Sequence, residues 1–238
     1  MTEHRAKLPD GLPSRMKGLA RDSAGRPIPF FVGYPDGETP DFRTMDGPKL
    51  RQAIIKDLCW VCGERLLRRY GSHYGTFVAG PMCLVNLTSA EPPSHHDCAL
   101  WSARACPFLA NPNKVRRETG MEGLLENTAG IAIARNPGVT ALIECSKWEI
   151  WNPGNGLLFR MKQVSAVRWL AHGEEASVKQ VMESIETGLP ALHQMSIEDG
   201  HGAEDELKRM VKRALGWVPD WDVALNTGDY PLTAELAS

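Results

Sequence analysis

The sequence predicts an α+β protein in which an N-terminal hairpin and helix lead into a small zinc-binding module, followed by an antiparallel β-meander packed by C-terminal helices. Three observations carry this expectation. Five of the six cysteines lie between Cys59 and Cys106. β-Rich runs between Val139 and Leu170 are interrupted by one clear turn, Asn152-Pro153-Gly154-Asn155-Gly156. Beyond residue 177, apolar side chains recur at helical spacing.

Residues 1–28 are rich in proline, glycine and charge and read as a mobile or loosely docked arm. The run from Ile28 to Tyr34, the turn Pro35-Asp36-Gly37 and the stretch from Pro40 to Arg43 predict a hairpin. Gly47 to Leu58 predicts a helix, with Leu50, Ile54 and Leu58 along one face, and it leads directly into Cys59. Thr76 to Ala79 is a short strand candidate. Pro92-Pro93-Ser94 predicts the entry to a helix from His95 to Ala105, capped by Ser94 and ended by Pro107.

Later in the chain, Val139–Cys145, Trp148–Trp151, Leu157–Met161 and Ala166–Leu170 predict the meander. Val178, Val181, Met182 and Ile185 predict a helix ending near Gly188, and Pro190 starts a second short one with Leu192 and Met195. Leu207, Met210, Val211, Ala214 and Leu215 form a third stripe; Glu204-Asp205-Glu206 at its start and Lys212-Arg213 at its end suit the helix dipole. The chain accordingly divides into an arm at 1–28, a hairpin and zinc module at 29–110, a linker at 111–138, and a meander with C-terminal helices at 139–238.

Composition bounds the function. With 238 residues, 42% hydrophobic and 24% charged, the chain has the make-up of an ordinary globular protein. No apolar run approaches the roughly 18 to 20 residues that cross a bilayer, and no apolar segment follows the basic start MTEHRAKLPDGLPSRMKG. A cytoplasmic setting without a membrane partner is expected, in which clustered cysteines more often bind metal than form disulfides. The net charge of -2 argues against a generally basic nucleic-acid coat.

Cys59-Trp60-Val61-Cys62-Gly63 is the most informative segment. Two thiolates separated by two residues on a tight turn can reach one ion, and the glycine lets the backbone fold around it. His95 and Cys98, spaced i, i+3 in the first turn of the predicted helix, can complete a tetrahedron. Cys83 stays open as an alternative ligand to His95. Cys106 lies about 12 Å along the same helix from Cys98, too far for a shared zinc. Cys145, alone in a predicted strand, reads as core. An iron-sulfur cluster on Cys59, Cys62, Cys83 and either Cys98 or Cys106, or a redox Cys-x2-Cys pair, are the alternative chemistries.

The knuckle, an intervening hairpin and two ligands in a helix's first turn resemble the treble-clef arrangement, and Cys-x2-Cys with a downstream His-x2-Cys also resembles the first site of LIM domains. That resemblance covers about 40 residues and implies a metal and a local fold. The segment GPMCLVNLTSAEPPSHHDCALWSARACPFL, with the later SIETGLPAL, resembles uncharacterised bacteriophage and prophage proteins. It brings no activity and no site residues; a host or phage macromolecule as partner is expected instead from the closed ligand set and the lack of catalytic motifs.

Catalytic signatures are sparse. Zinc deaminases pair His-x-Glu with Pro-Cys-x2-Cys, and neither motif occurs. Glu64 and Glu91 flank the proposed ligands and could serve an open-zinc hydrolase; His73 and Asn86 are the residues an HNH-type nuclease would use. The expectation is therefore a non-enzymatic binding protein, with a metal-dependent hydrolase or nuclease as the alternative. For nucleic acid, Arg65, Arg68 and Arg69 after the knuckle and Lys114, Arg116 and Arg117 after the zinc helix are the candidate phosphate contacts. Trp148, Trp151 and Trp169 are candidates for a stacking surface.

Overall fold

A computed structural model describes residues 8–66, 68, 69, 72–111, 136–154 and 156–238; for 68, 69, 72 and 73 it describes the backbone only. It has mixed α+β architecture with an antiparallel sheet, as the sequence predicts. β1 (Val32–Gly33) pairs with β2 (Asp41–Met45) as the expected hairpin, and α1 (Gly47–Lys56) follows, its first turn capped by the Asp46 carboxylate accepting from the Lys49 amide at 2.8 Å. α1 ends on Asp57 in the left-handed region (φ 54°), which turns the chain sharply into the cysteine knuckle.

β3 (Arg68–Arg69) and β4 (Ser72–His73) form a minimal antiparallel pair. β5 (Gly75–Ala79), α2 (Pro81–Val85), β6 (Thr88–Ser89) and α3 (His96–Ala105) then lead into the two long strands, β7 (Thr140–Trp151) and β8 (Leu158–Ala171). The four β-rich runs read from the sequence are these two strands. Residues treated as breaks, Ser146 to Lys147 and Lys162 to Ser165, stay in the ladder because irregular pairing between Glu144 and Trp148 absorbs the mismatch.

The main sheet has the order β5-β7-β8-β6, with β9 (Glu174–Glu175) on the outer edge of β8. It therefore draws strands from both sides of the segment expected to be a linker. Most of that segment, 112–135, lies outside the described residues. Its end is packed, with Ser184 Oγ donating to the Pro137 carbonyl.

Alternation along β7 sends side chains to both faces of the sheet. Ala141, Ile143 and Cys145 join the core shared with α2 and the C-terminal helices, whereas Leu142 and its neighbour Leu170 pack against Ala99 and Ala103 of α3. The helix expected to carry two metal ligands thus rests on one face, and the C-terminal bundle on the other. Ser94 does not cap α3. His95 holds the cap position, because Ser94 is engaged in a two-way backbone bridge with Thr76 (2.8 and 2.9 Å).

α4 (Val178–Asp199) is one helix of 22 residues, not two. A capping box of Ser177 and Gln180 starts it, Val181, Met182, Ile185 and Leu189 form its buried stripe, and beyond Pro190 the half-buried Leu192 packs against the same core. α5 (Ala203–Leu215), α6 (Trp221–Leu225) and α7 (Pro231–Ala237) complete the bundle. Glu186 of α4 accepts from the amides of Leu232 and Thr233 and from the Thr233 hydroxyl, fastening the start of α7.

The N-terminal segment is the other departure. From Leu8 onward it is docked: Met16 is fully buried, and Leu8, Leu12 and Leu19 pack against the same cluster. These apolar positions recur every three or four residues, a pattern the surrounding prolines and charges obscure. Leu142→Ala is expected to cost about 2–5 kcal/mol of stability in urea unfolding; a loss below about 1 kcal/mol would contradict burial of the sheet on both faces.

Candidate metal centre

Three pieces of chain build the site. The knuckle is a tight turn in which the Cys59 amide donates to the Glu64 carbonyl (2.7 Å) and the Gly63 amide to the Cys59 carbonyl (2.9 Å), with Leu58 and Arg65 bridged below it. Gly63 has φ +77°, and a Cβ there would lie 2.8 Å from the Phe30 ring, so both conformation and space require glycine. The segment before α3 is fixed by the Thr76–Ser94 bridge and by the Trp60 amide donating to the Pro93 carbonyl (3.2 Å). Trp60 is held by stacking on Phe31 at 5.5 Å between ring centres.

This framework brings Cys59, Cys62, His95 and Cys98 together, with one ligand atom from each within 4.8 Å of all the others. The cluster is closed from solvent, Cys59 and Cys98 being 0%, His95 4% and Cys62 8% exposed. His95 Nδ1 lies 3.4 Å from Cys62 Sγ. A tetrahedral zinc with bonds of about 2.3 Å to sulfur and 2.0–2.1 Å to nitrogen separates such neighbours by about 3.5 Å, so the spacing fits a metal.

The surroundings orient the ligands. His95 Nε2 donates to the Arg65 carbonyl at 3.0 Å, which fixes the ring and directs Nδ1 into the cluster. The amides of Cys62 and His95 both donate to Cys59 Sγ at 3.4 Å, favouring its thiolate. Burial raises the Cys59 thiol, but hydrogen bonds from Cys62, Cys98 and His95 outweigh it and hold Cys59 below its ordinary value. Hydrogen bonds to Cys59 and Cys62, then burial, push Cys98 up. Burial lowers His95, yet its hydrogen bonds to Cys59 and Cys62 carry it up to about 10.

The other cysteines stay outside. Cys83 lies outside the cluster: Leu84 and Val85 draw α2 into the core with the C-terminal helices, and burial pushes the Cys83 thiol up to about 11. Cys106 ends α3, and Cys145 is buried in β7. No four-cysteine set is therefore assembled for an iron-sulfur cluster. His96, adjacent to a ligand, points to the sheet, its Nδ1 3.0 Å from Glu144 Oε1.

Arg65 contributes its carbonyl to the site. Arg68 and Arg69 lie in β3, just beyond the knuckle, and Lys114, Arg116 and Arg117 fall outside the described residues. The three tryptophans do not share a stacking surface. Trp169 is buried and donates to the Trp217 carbonyl at 2.9 Å, and Trp148 packs edge-on to Phe77. Trp151 is 39% exposed beneath the Arg160 guanidinium. Asn86 accepts from the Thr88 amide at 2.9 Å in the turn after α2, a structural task.

Sequence reasoning missed Arg15. Its Nε lies 3.2 Å from Asp97 Oδ2; burial lowers its pKa, but Asp97 and then the Cys98 and Cys62 sulfurs raise it above the usual value. Only the proximity of an arginine to a helical spacing of leucines hinted at it. Comparison with protein-family models, with curated proteins and with solved structures gives no match.

Replacing Cys98 by alanine is expected to abolish metal retention through gel filtration, whereas Cys83→Ala keeps it; the reverse pattern would move the site. Because an incoming ion must displace the protons held by His95 and Cys98, both raised above their ordinary values, affinity is expected to be tighter at pH 8 than at pH 6 in a chelator competition.

Proposed function

We propose that the Cys59–Cys62–His95–Cys98 cluster holds one structural zinc ion in a treble-clef-like module, and that the protein is a non-enzymatic binding protein acting on a host or phage macromolecule. The observation that carries the structural reading is the closure of the site. Four protein ligands satisfy a tetrahedral ion, and their burial leaves no position for a water or substrate. When bound there, zinc cross-links the knuckle to α3 and supplies cohesion to a region with few large apolar residues of its own.

The same closure argues against an open-zinc hydrolase or nuclease, which needs a coordination position for its nucleophile. It also argues against a redox dithiol, because Cys59 and Cys62 are engaged with His95 and Cys98 and are shielded from an exchanging thiol. Three sulfurs and one imidazole nitrogen suit zinc over the harder divalent ions. The phage setting rests on the resemblance of residues 80–109, and a cytoplasmic location accords with the free cysteines.

Nucleic acid is the partner class with a sequence argument, since Arg65, Arg68 and Arg69 follow the knuckle closely along the chain. Mass-spectrometric metal analysis of protein purified without added metal is expected to give about one zinc per chain and no visible absorbance. Iron with a brown chromophore would overturn the assignment. For the arginines, the double variant Arg68→Ala, Arg69→Ala is expected to reduce the salt dependence of nucleic-acid binding by about two phosphate contacts; an unchanged slope would remove that partner class.

A further inference from the structure

The N-terminal segment covers the metal site. Met16, in the 3-10 turn Ser14–Met16, has no exposed surface and shares a cluster with Cys59, Cys62, Cys98, Val61, Leu66 and Trp101. Leu8, Leu12 and Leu19 flank it on the same surface. Trp101 of α3 donates its indole N–H to the Pro9 carbonyl at 3.3 Å. Arg15 pairs with Asp97, the residue before the ligand Cys98.

The seat for this segment is composite: Cys59, Val61, Cys62 and Leu66 belong to the knuckle, and Cys98 and Trp101 to α3. Only when the two halves are held together do they offer one continuous surface. A zinc with three thiolates and one neutral imidazole carries a net negative charge, and Arg15 is close enough to the Cys98 and Cys62 sulfurs to sense it. Any ligand that fixes the halves in place must strengthen docking of the segment, and docking must in turn strengthen retention of that ligand.

We propose that residues 8–19 form a metal-dependent strap, fastened over Cys62 and Cys98 when zinc is bound, with Arg15 as the cation that latches it through Asp97 and the site's negative charge. The proposal rests on the zinc reading above. Loss of the metal frees the strap and uncovers Trp101 and Leu66, so occupancy of the site is transmitted to the N-terminal surface of the molecule.

Limited trypsin digestion of the full chain, read by mass spectrometry, tests it, because Lys17 is exposed within the strap but is cut only when the strap lifts. Cleavage at Lys17 is expected to be about tenfold slower in zinc-loaded protein than in chelator-stripped protein, corresponding to a docking difference of about 1.4 kcal/mol. Should stripping open the whole fold, the zinc-loaded variants decide. Arg15→Gln with its zinc retained is expected to be cut at Lys17 about threefold faster and to give up zinc to a chromophoric chelator about threefold faster, as loss of a half-exposed ion pair allows. Arg15→Lys restores much of both.

Protein that takes up zinc yet is cut equally fast at Lys17 when loaded and stripped overturns the strap alone. Zinc-loaded Arg15→Gln indistinguishable from the parent overturns the latch. Protein that never takes up zinc overturns the metal reading and the strap with it.

Discussion

The structure turns on the convergence of four side chains from two distant stretches of chain, Cys59 and Cys62 on one and His95 and Cys98 on the other. Between the two ten-residue helices α1 and α3 that flank the site, the intervening elements are short. β3, β4 and β6 have two residues each, and α2 has five. Such pieces bury too little apolar area to hold themselves. A structural zinc supplies an apparent binding free energy on the order of 10 kcal/mol, as much as the whole stability of a typical domain. Convergence also explains why so many backbone hydrogen bonds in this region serve position: the turn at Cys59–Glu64, the Trp60–Pro93 contact and the Thr76–Ser94 bridge each fix one ligand-bearing piece against another.

The sheet does the remaining positioning. β7 and β8 carry the C-terminal helices on one face and α3 on the other, so the ligand helix is anchored to the main core through Ala99 and Ala103 on Leu142 and Leu170. The metal centre is therefore not an appendage. Its second half is part of the sheet's own packing, and the knuckle is tied to the same core through Leu50 and Ile54 of α1 and through Trp148, which packs against both clusters.

The site was legible because its information is local. Two cysteines at a knuckle spacing and a His–Cys pair one turn apart in a helix declare themselves without knowledge of the rest. Cys83 remained open because its exclusion depends on Leu84 and Val85 being drawn to the far side, a tertiary fact. α4 was read as broken because Gly188 and Pro190 are strong local signals; Leu189 and Leu192, which pack on the core at and beyond the break, act only once there is a core to receive them. The N-terminal segment was misread for the same reason. Its leucines and Met16 are diluted by prolines and charges, and their partners lie some 40 to 90 residues away. Arg15 had only the nearby leucine spacing as a sequence signal, since its significance comes from Asp97 and the sulfurs it meets.

The central claim is a closed tetrahedral zinc on three sulfurs and one nitrogen, and X-ray absorption at the zinc edge on purified protein tests it most directly. The account predicts a first shell of about three sulfurs at about 2.3 Å and one nitrogen at about 2.0 Å, with no oxygen ligand. A shell with a light oxygen in place of a sulfur would contradict it, because the site would then be open to water and the case against catalysis would fall.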